Sequence, residues 1–236
     1  MVDSPDLEHL RVRRHQQLST EVANYVREQI LSGQLRPGSF IRQEKIAEDL
    51  ELSATPVREG LLALRGEGFV LLKPRRGFMV APLSADDIRD LFSAQALIAG
   101  ELAARAVPRL DDLRLDELEA IHQALIEAAD SDDPERVEQL NHAFHRSINL
   151  AAGAPKLAWV LSLTARFAPH QFFATIEGWA AASAHDHQAV VAALRAGDAE
   201  RARQAMRLHI EHAGELLAEH FATIVAGAAG DEQPAD

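Results

Sequence analysis

Residues 46–80 read IAEDLELSATPVREGLLALRGEGFVLLKPRRGFMV. Ile46, Ala47 and Leu50 share one face of a short helix over residues 43–50. Glu51-Leu52-Ser53 joins it to a second helix over 54–67. Ser53 is placed to cap that helix with its hydroxyl, and Pro56 falls in the first turn, where a missing N–H costs little. After Gly68 the pattern turns β-favouring. Residues 69–73 and 78–80 flank Pro74-Arg75-Arg76-Gly77, which predicts a hairpin. Upstream, Leu18, Val22, Tyr25, Val26 and Ile30 recur at helical spacing, and Gly33 is the stop for a helix over 17–32. Phe40 and Ile41 read as a short strand. Three helices and a β-hairpin in this order are a winged helix-turn-helix.

The side chains on this frame suit DNA. A helix fits a major groove ~12 Å wide, where base edges are distinguishable. Thr55 and Arg58 lie at the N-terminal end of the third helix, and an Arg can pair bidentately with guanine. Arg75 and Arg76 sit at the hairpin tip, suited to phosphates, and Arg42 precedes the second helix within reach of a backbone.

Residues 18–80 resemble the N-terminal domain of GntR-family transcription regulators over the whole of the stretch quoted above. The resemblance implies that Thr55, Arg58 and Gly77 meet DNA. Two positions depart from the family pattern. Ala54 stands where the family usually has Arg, and Glu51 where it often has Gly, which predicts strain in that turn. Operator sequence therefore does not transfer from relatives.

The whole chain has 236 residues and a formal net charge of −12. The charge is uneven: residues 1–82 carry 12 Lys and Arg against 11 Asp and Glu, and residues 83–236 carry 12 against 25. Nine of the 11 His lie in the second part, which predicts a division near residues 81–83. There is no Cys, which excludes disulfides, Cys-based zinc sites and thiol catalysis. The N-terminus has no signal-peptide pattern and no long apolar run occurs, so the expectation is a cytoplasmic protein without a membrane span.

From Ser84 onward every segment reads as helix: about 84–106, 111–129, 132–151, 154–176, 184–196 and 198–224. Short punctuated links between them predict an antiparallel bundle. On these helices Asn141 and His145 are four apart and flank the apolar stripe of Val137, Leu140, Phe144 and Ile148. His187 shares a face with Val190 and Val191, and His209 follows Ala202 and Met206 at helical spacing. Three inward imidazoles and an amide oxygen make a set for a divalent transition metal such as Zn or Ni. By spacing alone His170, His185 and His212 compete for the same role.

A GntR-type head followed by an acidic helical domain is similar to the FadR subfamily, whose C-terminal FCD domain binds effectors. The likeness rests on Asn141 with His145, His187 with Val190, and Gly197-Asp198 with Met206 and His209. It implies a metal held by Asn141, His145, His187 and His209, and a small organic-acid effector beside it. Asn141 replaces a commoner Asp, removing one negative charge from the ligand set. Gln95 and Ala99 stand where relatives often carry Arg and Glu, so an acidic effector needs another cation, the metal or Arg166. Gln95 and Arg166 are the candidate effector contacts. Phe167, Phe172, Phe173 and Trp179 serve as pocket lining or as core.

The expected organisation is a flexible arm over 1–16, the winged helix-turn-helix over 17–81, an all-helical effector-binding and dimerisation domain over 84–224, and a disordered tail over 225–236. The expected function is a homodimeric repressor on near-palindromic duplex DNA, released by its effector, and not an enzyme. A metal sensor is the second reading. A metal-dependent hydrolase is the third, weakened by the lack of paired carboxylates or a His-Glu-x-x-His helix.

Overall fold

The computed structural model describes residues 5–131, 133–165, 176 and 178–230. The chain divides into two compact units. One holds the described residues up to Leu83 together with those from Ile224, and the other runs from Ser84 to Thr223.

In the first unit α1 (Pro5–Leu31) packs along α3 (Ala54–Gly66), with α2 (Gln43–Asp49) beside α3. Val22, Val26, Ile30, Val57, Leu61 and Leu64 close the core. Helix α1 begins at Pro5 rather than at Gln17, so the expected flexible arm is helical from there. The reason is local: no Gly or Pro interrupts the chain between Pro5 and Gln17, and Pro suits a first helical position. At the α1–α3 crossing, a Cβ on Gly60 would stand 2.7 Å from Val22 Cγ1 and 2.8 Å from the Ser19 carbonyl oxygen.

Helix α2 ends in a Schellman motif. The Leu52 N–H donates to the Ala47 carbonyl at 2.9 Å, and the Glu51 N–H to the Glu48 carbonyl at 3.2 Å. Glu51 occupies the left-handed position, φ 53°, which glycine usually fills. Glu51→Gly is expected to stabilise the protein by about 1 kcal/mol, since a left-handed L-residue costs roughly 1–2 kcal/mol and glycine's extra unfolded-state entropy returns part of the gain. A higher denaturant midpoint with unchanged slope is the check. Ser53 takes the extended N-cap backbone, φ −78° and ψ 164°, but its hydroxyl makes no capping bond, contrary to expectation. The backbone conformation, not the hydroxyl, starts α3.

The wing pairs β1 (Val70–Lys73) antiparallel with β2 (Gly77–Val80), in register Val70↔Val80 to Lys73↔Gly77. Phe40 bridges Met79, the Ile41 N–H donates to the Phe78 carbonyl, and the Val80 N–H donates to the Ser39 carbonyl. The expected strand at Phe40 and Ile41 is therefore a short partner of β2.

Among the described residues the regular elements of the second unit are helical: α4 (Ala85–Ala106), a 3-10 turn (Val107–Arg109), α5 (Asp112–Asp130), α6 (Pro134–Ala151), α7 (Pro155–Ala165), α8 (Trp179–Arg195) and α9 (Ala199–Gly230), of which residues up to Thr223 belong here. Ser84 opens α4 with a reciprocal capping box to Asp87. Phe144, Ile148, Leu118, Val190, Leu194, Met206 and alanines of α4 form the core. Helix α8 starts at Trp179, earlier than the 184 expected, because the run after Gly178 is rich in alanine. Helix α9 continues through Gly230, so residues 225–230 of the expected tail are helical. Helix α7 is described as far as Ala165. The rest of the helix expected over 154–176 falls mostly on residues 166–175, outside the described residues, as do Arg166, Phe167, Phe172 and Phe173. Trp179 is core.

Candidate DNA-binding face and candidate metal centre

Helix α3 presents two faces. Pro56, Val57, Gly60, Leu61 and Leu64 are buried, while Thr55, Arg58, Leu62 and Arg65 are exposed at helical spacing. Thr55 and Arg58 thus stand on the solvent side of the helix start, open to a groove. Arg42 occupies the N-cap position of α2 and is exposed. It follows Ile41, which is bonded to the wing, so the α2 start and the wing root are adjacent. Gly77 begins β2 at φ 86°, facing Gln43. In the wing turn the Arg76 N–H donates to the Lys73 carbonyl at 3.1 Å, Pro74 takes the first corner, and Arg75 takes a left-handed φ of 61°. Arg75 and Arg76 are exposed at this tip, and the Arg76 guanidinium lies 4.4 Å from the Phe40 ring centroid. A bulky cation in a conformation that favours glycine marks a strained tip.

In the second unit α6, α8 and α9 bring His145, His187 and His209 together. Their nitrogens lie within 4.8 Å of one another. Nε2 of His209 is 3.1 Å from Nε2 of His145 and 3.2 Å from Nε2 of His187. His187 and His209 are buried, and His187 stacks on Phe144 with centroids 4.0 Å apart. Burial, reinforced by the His209, His145 and His122 rings, holds His187 well below the usual imidazole range. It is neutral at pH 7, the state a ligand requires.

Do these residues fit a metal? One Nε2 has one lone pair or one hydrogen, so three facing Nε2 atoms do not satisfy one another in pairs. Nε2 atoms bound to one ion at ~2.0–2.1 Å would stand about 2.8–3.0 Å apart in octahedral and about 3.3–3.4 Å apart in tetrahedral geometry. The observed 3.1 and 3.2 Å fall between the two, and the remaining pair lies within 4.8 Å. The donor set fits.

Asn141 stands one turn before His145, buried, with Oδ1 accepting from the Ser183 hydroxyl at 3.5 Å. Gln95 is buried in α4 and donates to the Thr164 carbonyl at 3.2 Å. Three further residues of this neighbourhood escape sequence reasoning. His122 is buried, 6.0 Å ring to ring from His187, and its Nε2 meets Gln188 Oε1 at 3.2 Å. Burial lowers its pKa, with Gln188 opposing. Ser183 shares the His187 face. For His122 and Ser183 a signal existed: both fall on apolar stripes, with Leu118 and Leu125, and with Val190 and Val191. Asp186 had none. Burial works to raise its carboxyl, and contacts with His209 and His212 outweigh it, leaving the group below the usual range.

Residues 18–80 match the family of bacterial regulatory proteins called the gntR family, and residues 90–212 match the FCD domain. The HTH-type transcriptional regulator McbR of Escherichia coli is 27% identical over 82% of this chain and 89% of its own. The HTH-type transcriptional repressor GlaR of the same organism is 28% identical over 79% and 89%. A probable D-xylose utilization operon transcriptional repressor of Paenarthrobacter nicotinovorans is 28% identical over 82% and 85%. The solved structure of E. coli McbR superposes with a TM-score of 0.60 at 25% identity, covering 89% of this chain and 98% of that one.

Proposed function

The chain belongs to the GntR family as a DNA-binding transcriptional regulator with an FCD domain, not an enzyme, and from this premise we propose that it is a cytoplasmic homodimeric repressor controlled by a small organic acid at a Zn or Ni centre. The observation that carries the reading is the convergence of three imidazoles, two of them buried, in the FCD domain of a chain whose α3 leaves Thr55 and Arg58 exposed. His145, His187 and His209 would hold the metal, with Asn141 as the fourth ligand. When bound, the metal supplies Lewis-acid positions for a carboxylate. Gln95 and Arg166 are retained as the effector contacts proposed from sequence.

On DNA, Arg58 and Thr55 read base edges while Arg42, Arg75, Arg76 and the backbone at Gly77 hold phosphates. A two-fold dimer presents two such helices to a near-palindromic site. The dimer is supported by α7, which buries no residue of its own and exposes Trp159, Val160 and Leu163 on adjoining positions of its surface. No described helix is long and apolar enough to cross a membrane.

The test starts with duplexes selected from a random pool by the native protein. Inverted-repeat sites, a dimer mass in sedimentation, and about one metal per chain are expected. Arg58→Ala should weaken the selected site about 10–100-fold, the loss of one bidentate base contact, with little change on random DNA. Binding should fall steeply with salt. Equal affinity of Arg58→Ala for the selected site would remove Arg58 from the interface. A panel of hydroxy and dicarboxylic acids should lower operator affinity, and only for metal-loaded protein. Release by an acid that is indifferent to the metal would overturn the metal's role in effector binding.

A further inference from the structure

Asp186 lies outside the imidazole cluster but faces it from behind. Its Oδ2 accepts from Nδ1 of His212 at 2.9 Å and stands 3.7 Å from Nδ1 of His209. The His212 side chain is 57% exposed, that of Asp186 14% and that of His209 4%. One carboxylate therefore links a solvent-facing ring to a buried one. The arrangement follows from helix periodicity. His209 and His212 are three apart on α9 and so stack on one face. Asp186 precedes His187 on α8, so consecutive side chains reach the cluster and the back of one of its members.

A neutral imidazole carries one hydrogen, and its surroundings decide which nitrogen holds it. Nε2 of His209 faces the other two rings. On the far side, a lone pair at Nδ1 would face a carboxylate oxygen and be repelled, whereas an N–H is attracted. At 3.7 Å the contact is Coulombic rather than a hydrogen bond. It still selects the tautomer with hydrogen on Nδ1, which leaves the Nε2 lone pair directed into the cluster. Neither Nδ1 of His209 nor Nδ1 of His187 has a hydrogen-bond partner among the described residues; what sets His209 apart is the carboxylate oxygen 3.7 Å behind it.

We infer that Asp186 is the positioning residue of the metal centre, setting the tautomer and orientation of His209 from outside the ligand set, with His212 anchoring the carboxylate at the surface. The inference rests on the metal reading above. Partners behind metal-bound imidazoles typically account for 10–100-fold in metal affinity.

The experiment is a Co²⁺ titration of metal-free, full-length protein, followed by its visible absorption, alongside the melting temperature of the same metal-free protein. Asp186→Asn keeps the shape and removes the charge. It should weaken Co²⁺ binding about 10–100-fold, keep the shape of the absorption bands because the ligands are unchanged, and lower the metal-free melting temperature no more than His212→Gln does, since both variants lose the same surface contact. His212→Gln should move affinity in the same direction by less, and Asp186→Glu should recover part of it. Wild-type Co²⁺ affinity in Asp186→Asn would overturn the inference. So would a lower metal-free melting temperature with unchanged affinity, which would make Asp186 a purely structural partner of His212. Wild-type protein that binds no Co²⁺ would remove the metal reading itself, and this inference with it.

Discussion

His187→Ala is expected to yield protein without bound metal and without the chelator-sensitive part of its thermal stability. The His187 ring is fully buried, stacks on Phe144 and directs Nε2 to within 3.2 Å of Nε2 of His209. Its loss leaves two imidazoles and an amide, a set that holds a divalent ion far more weakly. An ion present at a thousandfold excess over its dissociation constant stabilises the folded state by about 4 kcal/mol. The variant should gain almost none of this. Alanine also opens a void beside Phe144, which costs stability whether or not metal is present. The informative quantity is therefore the difference between melting curves with and without chelator. A large shift is expected for the native protein and almost none for the variant, with elemental analysis falling from about one metal per chain towards zero. Full metal occupancy in the variant, or chelator-insensitive melting of the native protein, would refute the ligand set.

Glu67→Ala should destabilise the DNA-binding unit by about 3 kcal/mol, the low end of what breaking a buried ion pair costs. Arg27 has only 3% of its side chain exposed. Its Nη2 donates to Glu67 Oε2 at 2.5 Å and its Nη1 to Asn24 Oδ1 at 2.8 Å, and the guanidinium lies over the Phe69 ring. Removing the carboxylate leaves a buried cation with one neutral acceptor. Glu67 itself is 23% exposed, so water can reach part of the gap and hold the loss to the low end. Replacing both partners, Arg27→Met with Glu67→Leu, removes the charge along with its partner and should stay within about 1 kcal/mol of the native protein. Chemical denaturation followed by circular dichroism separates the two. Equal losses in both variants would show that packing, not the unpaired charge, sets the cost.

The winged helix-turn-helix was legible because its signals are local. The apolar spacing of α2 and α3, the proline-glycine turn of the wing and the buried face of α3 all lie within a few residues of one another. Glu51 was legible too, as a departure from glycine, and the structure places it at φ 53°. Boundaries were harder. Residues 5–16 lack an apolar period, yet they form the start of α1, because helix formers without a breaker propagate an existing helix. The same holds at the start of α8, where an alanine run carries no pattern.

Spacing also put His145, His187 and His209 on inward faces, but it treated His170, His185 and His212 as rivals and passed over His122. Periodicity assigns a face; it does not say which faces meet at one height. His145 and His209 are 64 residues apart, and the angle at which α6, α8 and α9 cross decides that their rings touch. Asp186 illustrates the limit: nothing in its neighbours marks it, and its role arises only because α9 brings His209 and His212 opposite it.

Sequence by itself thus determined the two-part organisation, the helix-turn-helix and its wing, the helical character of the second unit and the residue types able to hold a metal. Tertiary structure alone decided which imidazoles converge, which carboxylate stands behind them, and why glycines sit inside helices. Gly60 faces Val22 and Ser19 of α1, and Gly214 faces Phe92 of α4, each where a methyl group would collide. A glycine costs about 1 kcal/mol in a helix interior, and only the close approach of the second helix explains it. Helix formation depends on neighbours within about four residues along the chain, whereas convergence of side chains depends on how rigid helices pack across it.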